Sequence, residues 1–242
     1  MKVFTSRNRR GFTLIETVIA IGVLAVLLTG FIIVFTPAAD GIRKTISTQQ
    51  ADRLTSALEQ ELVTLRGSTE TTKFKTGFNK AYTFIKESNV ATEALLVYQY
   101  RGDLKAQRRS DDGTLEPMKS VEGKLPGEDY LVMPMARRLS DDIFIEDLAA
   151  VEGPVYLVKP TQLIYDANQL VLGAPGEIKN PKDGTAANTN TADEYPEAVI
   201  AFAAEFHPMP TNAAGYFTGP EFAKKFAKAK IPVFTRNLAV RR

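Results

Sequence analysis

Hydrophobic and polar residues divide the chain into an apolar N-terminal run, an amphipathic helical run and a series of short β-rich runs. The apolar run extends from Phe12 to Thr36, and Glu16 is its single charged residue. As an α-helix this stretch would be about 38 Å long, which exceeds the ~30 Å hydrocarbon core of a bilayer. The sequence therefore predicts one helix that is able to span a membrane, residues 12–36.

The amphipathic run follows directly. Its apolar residues recur at helical spacings, as expected when one face of a helix is buried: Ile42, Ile46, Leu54, Leu58, Leu62 and Leu65. Asp40 can cap the start of this helix and Gly67 can end it. Residues 12–66 are therefore predicted to form one long, bent helix, whose second half packs on a globular head, residues 67–242.

Pro37 lies between the two halves of this helix. Proline removes one helical hydrogen bond and disfavours helical geometry at the preceding residue. A bend or a locally melted stretch is therefore predicted between Gly30 and Gly41. A second, short helix is predicted near residues 74–88, where apolar residues again have helical spacing: Phe74, Phe78, Tyr82 and Ile85.

From residue 94 the pattern changes to short runs rich in β-branched and aromatic residues. They lie at 94–100, 130–135, 155–159, 163–172, 198–206 and 232–240, with turn signals between them. The predicted fold class is α+β, with a mostly antiparallel sheet packed against the long helix.

Two further short helices and one loop are predicted in the head. Ser140-Asp141-Asp142 is typical of a cap on a short helix that reaches about Ala150. Gly219-Pro220-Glu221 is typical of the start of another helix, in which Phe222 and Phe226 face inward. Residues 173–196 are polar and are predicted to form a long, mobile loop.

The amino-acid composition excludes several kinds of functional site. The chain has no cysteine and a single histidine, His207, which excludes disulfides, thiolate nucleophiles and histidine-rich metal sites within one chain. The 44% hydrophobic and 24% charged residues argue against wholesale disorder. A net charge of +2 gives no overall field that would attract nucleic acid.

Basic residues without an acidic one precede the apolar run: Lys2, Arg7, Arg9 and Arg10. This bias predicts a cytoplasmic N-terminus. A basic N-terminus followed by an apolar run is found in three kinds of segment: a cleaved secretory signal, a plain signal anchor and a very hydrophobic core helix. Glu16 distinguishes them, because a carboxylate has no use in the apolar part of a signal peptide and needs a partner within a membrane span. A milder explanation is that Glu16 is an anion in the first helical turn, near unpaired N–H groups.

The run Arg10-Gly11-Phe12-Thr13-Leu14-Ile15-Glu16 resembles the prepilin signature of type IV pilins and of type II secretion pseudopilins. The resemblance covers residues 7–36: a basic leader, a glycine, an aromatic residue, an apolar stretch and a glutamate fifth from the cut. It implies that a prepilin peptidase cleaves between Gly11 and Phe12, which removes residues 1–11, and that the new Phe12 amine is N-methylated. Pro37 lies later than the kinking proline of many members.

The resemblance also implies a role for Glu16 in assembly. Cleavage leaves a cationic amine on Phe12, and Glu16 lies about 6 Å further along the helix axis. Pairing offsets much of the cost of an isolated ammonium or carboxylate in an apolar bundle. Glu16 of one subunit is therefore expected to pair with the Phe12 amine of a neighbour and to set the register. The span and the packing between helices would use Leu14, Ile15, Val18, Ile19, Ile21, Val23, Leu24, Val26 and Leu27.

Other candidate chemistry in the head is weaker. Two acidic groups could hold calcium: Ser110–Gly113 with Glu116, and Asp183 with Asp193 and Glu194. Neither has the ligand spacing of an EF-hand loop, so solvated turns are the preferred interpretation and no cofactor is predicted. No phosphate-cradling glycine loop and no zinc motif is found.

Two further candidate functional features are His207 and a lysine-rich helix. No serine or acid partner is signalled for His207, so a packed histidine is preferred to a general base. Four lysines near Phe222 and Phe226 could meet a phosphate backbone or lipid head groups: Lys224, Lys225, Lys228 and Lys230. A solvated face of an amphipathic helix is the preferred interpretation.

The sequence thus predicts a non-enzymatic subunit of a bacterial envelope fibre, a minor pilin or pseudopilin more than a main building block. Its partners would be the prepilin peptidase and methylase, other subunits and the inner-membrane assembly platform. It would cross the inner membrane once, with a periplasmic head, before it joins a fibre in the periplasm or at the cell surface. Two alternatives stay open: a tip pilin that binds DNA, a surface or a secreted substrate, and a membrane-anchored enzyme.

Overall fold

The computed structural model describes residues 13–119, 125–166, 169–183 and 189–242, without the side chains of residues 32–48 and 68–69. The chain divides into two compact units, residues 1–50 and 51–242. Gly11 and Phe12 lie outside the described residues, as do the side chains of Asp40, Ile42 and Ile46.

Helix α1 extends from Leu14 to Val63. The backbone is helical through Pro37, so the predicted melted stretch between Gly30 and Gly41 is wrong, and Asp40 lies inside the helix rather than at the start of a second one. A proline removes only one backbone hydrogen bond, and the long helical flanks keep the others. α1 also ends earlier than predicted, and Gly67 begins the next helix instead of stopping α1.

The remaining elements, in chain order, are short. Helix α3 (Gly77–Lys86) confirms the short helix predicted near residues 74–88, and helix α2 (Gly67–Lys73), which was not predicted, precedes it. They are followed by β1 (Leu95–Asp103), β2 (Tyr130–Arg138), α4 (Asp142–Asp147), β3 (Tyr156–Asp166), β4 (Gln169–Leu172), β5 (Val199–Pro208), α5 (Ala214–Thr218), α6 (Pro220–Lys228) and β6 (Phe234–Arg241). The runs at 155–159 and 163–165 belong to one strand, β3.

All strand pairs are antiparallel, and the order is β2-β1-β3-β5-β6, with β4 paired to the end of β3. Together with the helices, this sheet confirms the predicted α+β class. Alternate residues of a strand face opposite sides of a sheet. In β1, accordingly, Leu95 and Val97 join one core cluster, and Leu96 and Tyr98 join the other.

The first core cluster lies between the sheet and the helices α1 and α3. Leu54, Leu58 and Leu62 are almost fully buried in it, as the amphipathic pattern predicted, and Leu65 is partly buried. Phe78 and Tyr82 supply the matching face of α3.

The second core cluster covers the other face of the sheet and contains residues of α4, α5 and α6. Phe222 and Phe226 of α6 are buried in it, as predicted. The Asp141 side chain accepts a hydrogen bond from the Ile143 N–H at 3.0 Å and caps α4, which also confirms the prediction. The sheet is therefore covered on both faces, which the sequence pattern did not indicate.

Two glycines allow α1, α2 and α3 to meet closely. Gly67 has a φ of 57°, a conformation that is unfavourable for residues with a Cβ. At Gly77, an added Cβ would lie 2.5 Å from the Val63 carbonyl oxygen. Both positions therefore favour glycine for structural reasons.

Candidate functional site

The start of α1 forms a reciprocal pair of hydrogen bonds between Thr13 and Glu16. The Glu16 carboxylate accepts from the Thr13 backbone N–H at 2.8 Å and from the Thr13 hydroxyl at 2.9 Å. The Glu16 N–H in turn donates to the Thr13 hydroxyl oxygen at 3.3 Å. This arrangement is a capping box, in which Thr13 is the N-cap and Glu16 the third helical residue.

Sequence reasoning missed this motif, although its signal, a threonine three residues before a glutamate at the head of an apolar run, was present. The capping box gives the Glu16 carboxylate hydrogen-bond partners within its own chain, which the milder explanation anticipated in part. Phe12, the predicted partner of Glu16, lies outside the described residues. Cleavage and methylation at Gly11 and Phe12, and the pairing of Glu16, stay predictions.

Residues 14–31 present an apolar surface on every side of the helix. Leu14 is 84% exposed, and so, to lesser degrees, are the other predicted packing residues: Ile15, Val18, Ile19, Ile21, Val23, Leu24, Val26 and Leu27. The segment Leu14–Phe31 has a mean hydropathy of 2.3, and none of it is buried. A helix that is apolar all round is suited to lipid or to a bundle of other helices.

The polar side chains of this segment are satisfied locally. The Thr17 hydroxyl donates to the Leu14 carbonyl at 2.7 Å, and the Thr29 hydroxyl to the Ala25 carbonyl at 2.8 Å. Such bonds let hydroxyl groups sit in an apolar environment. Glu16 is the one charged group of the segment, so it alone offers an ionic contact to a neighbouring helix.

The acidic residues that were considered for calcium have other partners. Asp112 is nearly buried, and it accepts from the Arg137 guanidinium at 2.5 Å and from the Thr114 N–H at 2.8 Å. Burial opposes ionisation, but these hydrogen bonds outweigh it and lower the pKa of Asp112. Asp193 lies 3.6 Å from Lys75 Nζ. Among the residues that the structure describes, no cluster of three or more histidine, cysteine or carboxylate side chains could hold a metal ion.

His207 is buried on β5 rather than placed in a cleft. Its Nδ1 lies 3.2 Å from the Ile231 carbonyl oxygen. Burial, the largest cause, and the nearby cation of Lys159 lower the pKa of His207. The ring is therefore neutral near neutral pH and acts as a packed residue, in line with the preferred interpretation.

The aromatic residues of the lysine-rich helix α6 are buried in the core and are not exposed beside its lysines. Phe222 and Phe226 are buried, and Lys224 pairs with Glu221 at 2.7 Å. Lys159 of β3 donates from Nζ to the Phe226 carbonyl at 2.8 Å at the end of α6. The lysines of α6 therefore lie at the surface, and the described part of the head gives them no exposed aromatic platform on which bases could stack.

The loop predicted at 173–196 contains no helix or strand in its described part, 173–183 and 189–196. Ile178 and Tyr195 anchor it in the first core cluster. The Gln162 amide also holds it, through hydrogen bonds of 2.7 and 2.8 Å with the carbonyl and N–H of Lys179. These anchors give the loop a structural role in the head.

Buried charges that the sequence did not indicate link the elements of the head. Lys80 of α3 is fully buried and donates to Glu61 at 2.5 Å and to Glu70 at 2.8 Å, which ties α3 to α1 and α2. Arg137 donates to the buried Asp147 at 3.1 Å, and Tyr98 donates to the same carboxylate at 2.5 Å. These pairs are structural contacts, because each charge is matched inside the fold.

Comparison with known proteins identifies the N-terminal segment. Residues 6–32 match the family model described as the prokaryotic N-terminal methylation motif. No match to a curated protein or to a solved structure was found. The matched region contains the Thr13–Glu16 capping box and the uncovered apolar surface of α1. Residues 6–32 therefore carry the prepilin-type cleavage and methylation motif of type IV pilins and pseudopilins.

Proposed function

We propose that the protein is a minor pilin or pseudopilin, a structural subunit of a type IV pilus or of a type II secretion fibre. The observation that carries the proposal is the uncovered apolar helix Leu14–Phe31, whose single charge is Glu16 and which lies within the methylation motif. Subunits that carry this motif are structural, not enzymatic, and a membrane-anchored state fits the single apolar helix.

Before assembly, the apolar segment would lie in the inner membrane with the head in the periplasm. The basic residues at the N-terminus favour this orientation. After the cut at Gly11, the segment would leave lipid and pack against the same segment of other subunits. The exposed aliphatic surface supplies the attraction, but such a surface alone does not define how far one helix is shifted against the next.

Glu16 would define that shift by exchanging partners. In the single chain its carboxylate is held by Thr13. Both bonds are local and exposed, so the carboxylate can turn to a cation on a neighbouring helix without unfolding α1. In the fibre it would accept from the Phe12 amine of a neighbouring subunit, and the buried pair would act as a register device.

The experiment compares Glu16→Ala, Glu16→Gln and the unchanged protein. We expect normal membrane insertion for all three, because insertion depends on the apolar run and the basic leader. Incorporation into sheared fibres should fall at least about a hundredfold for Glu16→Ala, since breaking a buried pair costs roughly 3–5 kcal/mol. Glu16→Gln keeps hydrogen bonding to Thr13 but not the charge, and should fail similarly. Normal incorporation of both variants would contradict the proposed role of Glu16.

The binding-module alternative has less support from the head. Among the described residues, no exposed aromatic side chain accompanies its lysine helix, and its loop at 173–196 is anchored by Ile178 and Tyr195. A tip subunit would assemble by the same N-terminal segment, so the two proposals differ in the position of the subunit in the fibre and not in the chemistry of α1.

A further inference from the structure

Strand β6 forms one edge of the sheet and leaves half of its backbone groups without a hydrogen-bond partner. In the part of the chain that the structure describes, it pairs only with β5. Alternate residues of an antiparallel strand direct their N–H and C=O groups to opposite sides. The Arg242 N–H donates to the Ala198 carbonyl at 2.8 Å, so the even-numbered residues of β6 direct these groups towards β5. The odd-numbered residues direct them away from the sheet: Thr235, Asn237, Ala239 and Arg241.

No described residue covers this free edge. The outward backbone groups of the four odd-numbered residues have no hydrogen-bond partner among the described residues, and the side chains of these four residues are exposed. Unpaired backbone groups at a sheet edge are a template on which another extended chain can form a further strand. β6 has eight residues, so such a strand could bond along a length that is ample for stable pairing.

The opposite edge of the sheet, β2, is protected against such pairing. The Leu139 N–H donates to the Ala94 carbonyl at 2.8 Å, so the even-numbered residues of β2 direct their backbone groups away from β1. One of these residues, Pro134, has no N–H to donate. The carbonyl of another, Tyr130, already accepts from the Gly127 N–H at 2.7 Å. β6 contains no proline, so the two edges differ in their ability to accept a further strand.

The segment that contains β6 is strongly basic. Residues 224–242 contain seven lysines and arginines and no aspartate or glutamate. Three of these cations have partners in the fold. Glu205 of β5, opposite Thr235, is matched by Lys159 at the paired position of β3. The other four cations make no ion pair with any described residue: Lys225, Lys228, Lys230 and Arg241.

This charge selects the kind of strand that the edge accepts. Two β6 edges side by side would bring like charges together, which is destabilising, so a second copy of the same edge is disfavoured. A strand with carboxylate side chains would instead meet the unpaired cations. Two aliphatic side chains at the start of the edge offer it apolar contact, because Ile231 is 88% exposed and Val233 is 65% exposed. The edge therefore fits an acidic strand that also carries apolar residues.

We propose that the β6 edge binds an extended acidic segment of a partner protein and adds it to the sheet as a further strand. The outward backbone groups of β6 would bond to the segment, and this pairing supplies the affinity. Arg241 and the unpaired lysines would meet its carboxylates, and Ile231 and Val233 its apolar side chains. The proposal goes beyond the fibre role, and its test does not depend on that role.

A designed peptide tests this edge on the full chain in non-ionic detergent micelles. The probe is a fluorescein-labelled peptide as long as β6, with alternating threonine and valine and a glutamate at each end. Fluorescence anisotropy measures its binding, and micelles without protein give the background. Two isomers are N-methylated at alternate residues, so each lacks the N–H groups of one edge only. We expect one isomer to bind like the parent peptide and the other at least about tenfold more weakly.

Variants of the chain locate the binding on β6. Ala239→Pro removes one outward N–H and keeps the groups that bond to β5, so binding should weaken about two- to tenfold. Ala239→Val keeps the N–H and is the control, and Thr235→Pro repeats the test at the start of the strand if Ala239→Pro does not fold. Arg241→Gln should weaken binding up to about fivefold. Lys119→Gln removes an exposed charge beside β1 and should have no effect.

Several outcomes would overturn the proposal. Equal binding of the two N-methylated isomers would exclude pairing through a strand edge, as would absence of binding by the parent peptide at about 1 mM. Equal binding of a peptide with lysine in place of glutamate would exclude selection of an acidic strand. Self-association of the chain that Ala239→Pro abolishes would indicate a second copy as the occupant. Each of these results leaves processing at Gly11 untouched, so this proposal and the fibre role fail separately.

Discussion

Thr13 and Glu16 bind each other across the first turn of α1, with the Thr13 N–H 2.8 Å from the Glu16 carboxylate and the Glu16 N–H 3.3 Å from the Thr13 hydroxyl. The same carboxylate therefore has two possible functions. It can cap its own helix, or it can pair with the amine of a processed neighbour. The two functions predict different results for variants at Thr13.

Thr13→Ala should leave fibre incorporation close to that of the unchanged protein. The substitution removes the hydroxyl from the capping box and costs about 0.5–2 kcal/mol of local helix stability. It leaves the Glu16 carboxylate free to pair with a neighbouring amine. Sheared-fibre yields of Thr13→Ala, Thr13→Ser and Glu16→Ala provide the comparison. Equal loss for Thr13→Ala and Glu16→Ala would mean that assembly needs the helix cap and not the intersubunit pair.

The second half of α1 should contribute strongly to the stability of the head. Each of Leu54, Leu58 and Leu62 contributes roughly 1.5–3 kcal/mol when buried. Lys80 would also lose its 2.5 Å contact with Glu61. A chain that starts at Ser68 should therefore melt at least about 10 °C below one that starts at Ile42.

Circular dichroism melts of the truncated chains test this expectation. A chain that starts at Ala51 is the control, and it should melt like the Ile42 chain, because residues 51–242 form one compact unit. Equal melting of the Ser68 and Ile42 chains would show that α1 does not stabilise the head.

His207 should make the head less stable at mildly acidic pH. Its pKa in the fold is lowered below the ordinary value of 6.5 by burial first, and by the cations of Lys159 and Lys225. Its contribution is thus fully present above pH 6.5, and it is lost as the pH falls toward the folded pKa, since the unfolded chain takes up the proton first.

Calorimetric melting temperatures at pH 7, 6 and 5 measure this loss. His207→Gln keeps a group that can bond to the Ile231 carbonyl but does not titrate, so its melting temperature should fall less between pH 7 and 5. The pKa of Asp112 is lowered from 3.8, so its contribution is lost in a more acidic range. Identical pH dependence in the two proteins would rule out His207 as the source.

The sequence correctly predicted the elements in which apolar residues recur at a regular helical spacing or in which a local capping signal is present. The leucine stripe, the cap at Asp141 and the inward face of Phe222 and Phe226 are all present in the structure. Prediction from the sequence failed where the conformational preference of a single residue competes with the structure around it. Pro37 led to the prediction of a bend or a locally melted stretch, but the backbone of α1 is not melted there and is helical through Pro37.

The buried charges lay beyond prediction for a similar reason. Lys80 lies on the apolar face of α3, next to Ala81 and one turn from Phe84. From the sequence alone, a lysine at this position would be expected to face solvent. Its partners Glu61 and Glu70 are distant in sequence and meet it only when α1, α2 and α3 pack together. The capping box, in contrast, is local, and its spacing was visible in the sequence.

Processing should depend on the absence of a side chain at position 11. A peptidase must bring a catalytic group close to the backbone at the cut, and glycine has no Cβ in the way. Gly11→Val should therefore accumulate as uncut precursor in membrane fractions, whereas Thr5→Val, a change elsewhere in the leader, should be processed normally. Immunoblots separate precursor from mature chain by size. Normal processing of Gly11→Val would place the cut elsewhere.

Intact-mass spectrometry of the mature protein from membranes shows whether this chain is processed as a prepilin. We expect a mature chain that begins at Phe12 and carries one N-methyl group. A mature N-terminus near Ala39 would contradict it, because the apolar segment would then have been removed as an ordinary signal peptide.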